Sequence, residues 1–389
     1  MRLNLSLLAL SFFAILLTPA LATAVPRMSL TAGTPCSACH INGQGGGMRT
    51  EIGWGASVYT GAYIPEKLEE MESNSYFDGL LSVGTDIRLQ TFRGSVAPGS
   101  DELPSRLYLP MQLQPYIASI PTEWLTLYGS YNIGPSVFRG DGLCNPVYAG
   151  QSCFEAAAKI QPSYTAPYVR VGNFQPSIGV RHDDHTMLLR NDAASPRTPI
   201  IAPNYAELGA ELTYVPAHWF HTDAGVFRAA NLSESIADEE VVGKNDIAYL
   251  GRVQFMPRLD DIDLVSWIGT SLYGAGSFKM ENYFIGVGKL DTASLMVELS
   301  RSTRGKDKDY KTLNFMTKLD VPIKEWIVLS GRVEQGTTQN AGNESQTQQA
   351  VLGVEFFPIP FVELRPEYRY TRTGTYALAQ YTLQMHVFY

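Results

Sequence analysis

From Gly79 to the C-terminal Tyr389, apolar and polar residues alternate with a period of two, which is the signature of strands showing different surroundings on their two faces. Between Phe361 and Thr371, Glu363, Arg365, Glu367 and Arg369 share one face, and Val362, Leu364, Tyr368 and Tyr370 the other. Between Lys311 and Val321, Leu313, Phe315, Leu319 and Val321 oppose Thr312, Asn314, Lys318 and Asp320. Thr85 to Thr91 sets Ile87 and Leu89 against Asp86, Arg88 and Gln90, and Ala206 to Pro216 sets Leu208, Leu212 and Tyr214 against Glu207 and Glu211. In a soluble sandwich the charged face would look at bulk water. The end of the chain argues otherwise: Tyr381, Leu383, Met385, Val387 and Tyr389 are alternate apolar positions finishing on an aromatic residue, as in bacterial outer-membrane barrels. The predicted class is all-β, a transmembrane antiparallel β-barrel over residues 79–389.

The connections carry the same message. Short turns are expected at Ile120-Pro121-Thr122, Val215-Pro216-Ala217, Lys289-Leu290-Asp291, Val321-Pro322-Ile323 and Pro358-Ile359-Pro360. Long polar loops are expected at Gly134 to Tyr164, Arg190 to Asn204, Asn231 to Asn245, Ser302 to Asp309 and Gln335 to Gln348. Short periplasmic turns opposite long external loops give about sixteen strands of ~10 residues, with fourteen as the alternative count. The first strand, near Gly79 to Phe92, then starts on the periplasmic side.

Ahead of the barrel stand two further segments. Residues 1–24 read as a secretory signal: Arg2, an apolar run from Leu5 to Leu17, and the small residues Ala22-Thr23-Ala24, with Pro19 after a run that is short for a spanning helix. Residues 25–78 form a small Gly-rich module with one expected short helix, Pro65 to Ser73. So few large apolar side chains cannot bury a core alone, so the module must lean on the barrel. The net charge of −8 comes without a basic patch, which argues against nucleic acid as a partner.

The module contains Cys36-Ser37-Ala38-Cys39-His40, in a chain with four cysteines and six histidines. C-x-x-C-H is the attachment signature of a c-type haem: two thiols reach the porphyrin vinyl carbons and the next residue, His40, supplies the proximal iron ligand. A redox C-x-x-C pair or a zinc site would need a thioredoxin-like βαβ pattern or a second ligand pair, and neither is present. One covalent haem c, on Cys36 and Cys39, is therefore the expected cofactor. Candidates for the distal ligand are Met48, Met28, His185 and His182, each with a blander reading as packing or as a polar loop cluster. His218, His221 and His386 read as structural or interfacial. Cys144 and Cys153 are expected to close a loop disulfide, as export permits. The acidic run Glu234 to Glu240 reads as a solvated loop, with cation attraction as the sharper alternative.

With haem motif and barrel together, the chain resembles the fused monohaem cytochrome–porins of the bacterial outer membrane, whose mature ends run Ala-x-Pro-x-Phe-x-Arg-x-Thr-Gly-x-x-Cys-x-x-Cys-His. Ala24, Pro26, Gly33, Cys36, Cys39 and His40 fall in register; Met28, Leu30 and Ala32 stand where that pattern has Phe, Arg and Thr. The resemblance implies electron transfer from an extracellular donor, often ferrous iron, through the haem to a soluble periplasmic carrier, with outer-membrane lipid around the barrel. Two other readings remain: a solute-diffusion porin with the module as plug or redox regulator and Asn173 to Arg190 as an inward constriction, and a sheath for a separate cytochrome. The haem expectation is checked by the absorbance spectrum of the reduced, exported protein. A c-type α-band is expected, lost on Cys36→Ala; its absence in the unaltered chain would remove the cofactor.

Overall fold

The computed structural model describes residues 26–69, 74–96, 107–134, 142–144, 146, 148–163, 165–182, 184, 186–305 and 309–389. The expected signal segment lies outside them. Among the described residues the wall strands are β1 (Leu81–Val96), β2 (Leu107–Thr122), β3 (Leu125–Tyr131), β4 (Phe154–Ile160), β5 (Tyr168–Phe174), β6 (Glu207–Ala217), β7 (Phe220–Arg228) and β8 (Ile247–Phe255). They continue as β9 (Leu264–Ala275), β10 (Phe278–Lys289), β11 (Ala293–Arg304), β12 (Tyr310–Lys324), β13 (Ile327–Asn340), β14 (Asn343–Ile359), β15 (Val362–Thr373) and β16 (Ala377–Phe388). Each pairs antiparallel with its neighbour, and β16 returns to β1 with Gln384 opposite Gln90, so the sheet of sixteen strands is closed. Closure satisfies every strand edge internally, which a wall facing hydrocarbon requires.

The alternation maps onto the two faces of this wall. Glu363, Arg365 and Arg369 are buried toward the lumen, whereas Tyr368, Leu352, Leu313 and Tyr381 stand on the exposed outer face. Three of the short turns carry a tryptophan just after a strand-ending proline: Pro121 and Trp124, Pro216 and Trp219, Pro322 and Trp326. Trp124 and Trp219 are exposed, as expected of an aromatic girdle at a membrane interface.

Those prolines are not in the turns, as the sequence suggested, but in the last residues of strands. The ladder shifts register at each such place, between Ser119 and Thr122, Tyr214 and Ala217, Pro322 and Lys324, and Phe356 and Ile359. A proline has no N–H to donate, and a bulge at a strand end removes the need for one. Two expected loops are corrected in the same way. The stretch Gly134 to Tyr164 contains β4, whose Ala156-Ala157-Ala158 has too little contrast between faces to read as a strand. Gln335 to Gln348 is a hairpin, with Asn340 paired to Asn343 across two residues. It is polar on both faces because it carries the strand pair past the apolar belt.

The N-terminal segment is folded inside the barrel, at the end where the short turns lie. It contains α1 (Pro26–Thr31), α2 (Cys36–Cys39), α3 (Glu51–Val58) and α4 (Glu66–Glu69). Leu30, fully buried, packs on Trp267, Phe284 and Met296 of the inner wall. Gly286 and Gly288 of β10 make room for it, since a Cβ on Gly288 would stand 2.5 Å from the Leu30 carbonyl oxygen. Trp54 of α3 packs on Phe361 and Phe388, with ring centroids 5.5 Å apart for the Phe361 pair. Arg27 pairs with Glu355, and Arg170 donates to Asn42 Oδ1 at 3.0 Å. These anchors come from β5, β9, β10, β11, β14, β16 and the turn between β14 and β15, from all round the lumen, which makes up for the core the segment lacks.

A second segment, between β5 and β6, also folds inward. Gly179 N–H donates to Ser271 at 2.8 Å, His182 bonds Glu298 at 2.9 Å, Leu188 N–H donates to Glu334, and Asn314 donates to the Asn191 carbonyl at 2.7 Å. The diffusion-porin reading expects an inward segment from Asn173 to Arg190; Asn173 and Phe174 belong to β5, and the inward course runs from there to about Asn204. Asp184 pairs with Arg332 at 2.7 Å and with Arg369 at 3.4 Å. Burial alone would raise the Asp184 carboxyl, but Arg332, Arg369 and the bonds from Thr186 outweigh it and hold the group well below the usual carboxylate range. The disulfide Cys144–Cys153 closes the loop before β4, with Cα atoms 5.8 Å apart.

Two outcomes follow. Trp54→Ala is expected to cost about 3–5 kcal/mol of docking free energy. Limited proteolysis should then cut the N-terminal segment while the heat-modifiable electrophoretic mobility of the barrel persists. Asp184 has a depressed folded pKa, so its contribution is present above the unfolded value of about 4 and is lost only as pH falls through the lower one. The inward segment should resist protease at pH 5 as it does at pH 7, and Asp184→Asn should loosen it at both by roughly 1–3 kcal/mol.

Candidate functional site

Local structure already arranges the motif. Pro35 is extended and precedes a single turn, Cys36–Cys39, closed by the His40 N–H donating to the Cys36 carbonyl at 2.9 Å. Thr50 ties this turn to the next helix: its hydroxyl donates to the Ala38 carbonyl at 2.7 Å and accepts from Gly53 N–H at 3.2 Å. Gly53 is required there, because a Cβ would lie 2.1 Å from the Cys39 carbonyl oxygen.

Residues 40–49 form a small hairpin, with a bridge between His40 and Arg49 and the Ile41 N–H donating to Met48 O at 3.1 Å. Its tip is Gly45-Gly46-Gly47, all in the left-handed region, with φ of +86°, +73° and +61°. The tip curls back over the motif. A Cβ on Gly45 would stand 3.8 Å from Cys36 Sγ and 3.9 Å from His40 Cδ2.

Cys36, Cys39 and His40 open into one lumen cavity of about 270 Å³. Both cysteines are free and half-buried, and the wall encloses them. Burial pushes both thiols up, offset in part by Arg252 at Cys36 and by Arg49 at Cys39. The same cavity is lined by Met28, Arg49, Arg88 and His386. These residues fit a covalently held haem c. Two thiols one turn apart and an imidazole share a cavity, the Gly45 backbone leaves the space a side chain would fill, and Arg49 and Arg88 suit porphyrin carboxylates. Among the described residues no group of three or more His, Cys, Asp or Glu could hold a bare metal ion.

The distal candidates separate. Met28 lines the cavity, whereas Met48 is buried against Tyr116 and Ala118. His182 is held by Glu298 and lines the neighbouring central cavity, and His185 lies outside the described residues. The run from Glu234 to Glu240 begins in a short helix, Ala230–Ile236, and its Glu234, Glu239 and Glu240 are exposed.

His386, which reads from the sequence as structural or interfacial, lines the motif's cavity. Its Nε2 lies 3.0 Å from Asp86 Oδ1 and its Nδ1 3.2 Å from Glu363 Oε2, at the floor of the cavity. Parity could have found it, since Met385 and Val387 on either side face outward. Arg88 stands on the polar face of β1; Arg181, which reaches the cavity around the motif (the cradle) from the inward segment, has no local signal in the sequence.

Several cavities lie in the lumen and share lining residues. An outer vestibule of about 380 Å³, bounded by β1, β2 and β14 to β16, meets a central cavity of about 70 Å³ at Asn191. The central cavity shares Gly47, Asp86, Arg88 and Arg181 with the cradle. On the short-turn side a cavity of about 530 Å³ lies beyond a small one of about 40 Å³ that again touches Cys36 and Arg181.

No sequence-family profile and no curated protein matches the chain. Solved structures do match in fold. An anion-selective porin from Comamonas acidovorans superposes with a TM-score of 0.55 at 11% identity, covering 79% of this chain and 99% of its own. A loop-deletion form of OmpT, an outer membrane protein of Vibrio cholerae, gives 0.53 at 11% identity over 80% of this chain and 100% of its own. The outer membrane channel DcaP of Acinetobacter baumannii gives 0.51 at 8% identity over 79% and 97%. At such identities the likeness establishes the fold, and the chain has the porin-type sixteen-stranded barrel.

Proposed function

We propose that this chain is a bacterial outer-membrane barrel that carries one c-type haem in its lumen and passes electrons between the outside and the periplasm. The observation behind this reading is the position of Cys36, Cys39 and His40: inside a closed wall, between an outer and a periplasmic chamber. Cys36 and Cys39 would hold the group through thioethers, His40 would be its proximal ligand, and Arg49 and Arg88 would orient it. When bound, a c-type haem supplies one-electron redox chemistry at its iron. The chain's own part is structural and electrostatic. The wall keeps a charged redox site out of hydrocarbon that excludes it, and the plug and inward segment occupy part of the lumen. Because the cradle sits at the short-turn end, a periplasmic carrier reaches it closely, and an outside reactant must enter the vestibule. The resemblance to cytochrome–porins suggests an extracellular donor such as Fe(II) and a soluble periplasmic cytochrome as acceptor.

The second reading is a solute-diffusion porin with the N-terminal segment as plug or redox regulator. The comparisons favour it: the fold neighbours are named as porins and channels, one of them anion-selective, and none of the three as a cytochrome. Liposomes bearing the full-length protein and loaded with a redox dye separate the two. With an external reductant, the conduit reduces the dye with little solute leakage, and His40→Ala abolishes reduction by at least ~10-fold. Leakage without dye turnover would sink the conduit and support the porin.

A further inference from the structure

The N-terminal segment turns one face of α3 to the wall and leaves the other bare. Gly53, Trp54, Ser57 and Val58 are buried, and Trp54 and Val58 pack with Phe357, Phe361 and Phe388. The opposite face carries Ile52, Ala56 and Tyr59, exposed at helical spacing, and continues through Ala62 to Tyr63. Ile52 is 69% exposed, Tyr59 65% and Tyr63 66%. The Ala62 and Tyr63 N–H groups donate to the carbonyls of Phe357 and Pro358, at 2.9 and 3.1 Å, where β14 ends. Apolar residues on the outside of the wall are covered by lipid, but these belong to a segment inside the ring of strands and cannot reach it. An apolar face that lipid does not cover marks an interaction surface.

The face leads from the motif to the rim. Ile52 and Ala56 line the cavity of Cys36, Cys39 and His40, whereas Tyr59 and Tyr63 lie beyond it, toward the short-turn end. At 1.5 Å of rise per residue, Tyr59 stands about 10 Å along α3 from Ile52. Its surroundings are acidic. Leu68 of α4 and Trp326 of the turn between β12 and β13 pack on the same cluster as Trp54, which brings Glu66 and Glu325 beside this face. Glu66, Glu325, Glu51 and Asp78 are exposed, against Lys67 and Lys324. Further round the rim Glu123, Asp261 and Asp263 are exposed, and Arg258 is taken up by Asp260. The turn between β10 and β11 holds one charge of each sign, Lys289 and Asp291.

We propose that this face of α3, with Tyr59 and Tyr63 at its centre, is a docking surface for a soluble periplasmic protein whose contact face is basic. A tyrosine-bearing apolar centre inside a charged rim is the build of a transient protein interface, and an excess of carboxylates selects a cationic partner and speeds its approach. An acidic partner would meet like charge around the same centre. Only the partner's redox class rests on the electron-transfer reading: under it, the partner is the carrier that exchanges electrons with the haem, seated by Tyr59 at the edge of the motif's cavity.

The test is binding of a strongly basic cytochrome c of the mitochondrial type to the full-length protein in nanodiscs of zwitterionic lipid, followed by biolayer interferometry, with an acidic flavodoxin as counter-probe. Saturable, salt-sensitive binding of the basic probe is expected, weakened about tenfold or more by Tyr59→Ala with Tyr63→Ala. Glu51→Gln with Glu66→Gln should slow association about threefold or more and leave dissociation nearly unchanged. Glu239→Gln with Glu240→Gln, at the opposite end of the barrel, should leave the affinity within about twofold. Heat-modifiable mobility and protease resistance of the N-terminal segment report that each variant is folded and docked. Absence of binding, or equal binding of the two probes, would overturn the proposal, as would binding that neither the tyrosine nor the glutamate variants change. His40→Ala should keep the binding while abolishing dye reduction, so failure of dye reduction alone overturns the conduit and failure of binding alone the docking surface.

Discussion

Hydrocarbon offers no partner to a backbone N–H or C=O, so a wall built of strands must satisfy every one of them within itself. Here that demand is met by the pairing of β16 with β1, and the rest of the molecule follows from it. Once the ladder is closed, strand register fixes which side chains face lipid and which face the lumen. Polar residues cannot face lipid, so they are concentrated inside, where charges must find one another. Arg365 with Glu363, and Arg252 with Asp223, are such pairs, each buried between neighbouring positions of the wall.

A lumen lined in this way is a surface on which other segments can dock. The N-terminal segment uses both kinds of attachment. Trp54 and Leu30 bury apolar surface on aromatic residues of the inner wall, and Arg27 and Asn42 join the polar network through Glu355 and Arg170. Its own short helices could not stand free in solution, so its fold is a property of the barrel as much as of its own residues. The inward segment after β5 is fixed by the same logic, with Asp184, Asn191 and Asp192 bonded to wall residues of β12, β13 and β15.

These two segments meet at the glycine tip. Gly45 stands over Cys36 and His40, and Gly46 stands against Arg181 from the other segment. The contact brings a thiol pair and an imidazole from one part of the chain beside a cation from another. It also sets Arg181 among the residues that line both the motif's cavity and the central one.

The residues alone determined the barrel, its parity and the cysteine–histidine motif, because each of these is a local pattern. A period of two, as in Ile87 against Asp86 and Arg88, survives any tertiary arrangement, and Cys36, Cys39 and His40 are neighbours in the chain. Strand ends were less legible: Pro121 and Pro322 read as turns, since only the paired strand reveals a bulge that excuses the missing N–H. The alanines of β4 hid a strand because two faces of equal size carry no pattern. Tertiary structure alone decided that the motif lies inside the wall, that Met28 rather than Met48 shares its cavity, and that Arg181 and His386 come to its edge. Those placements depend on closing a ring from strands hundreds of residues apart, and no window along the chain contains that distance.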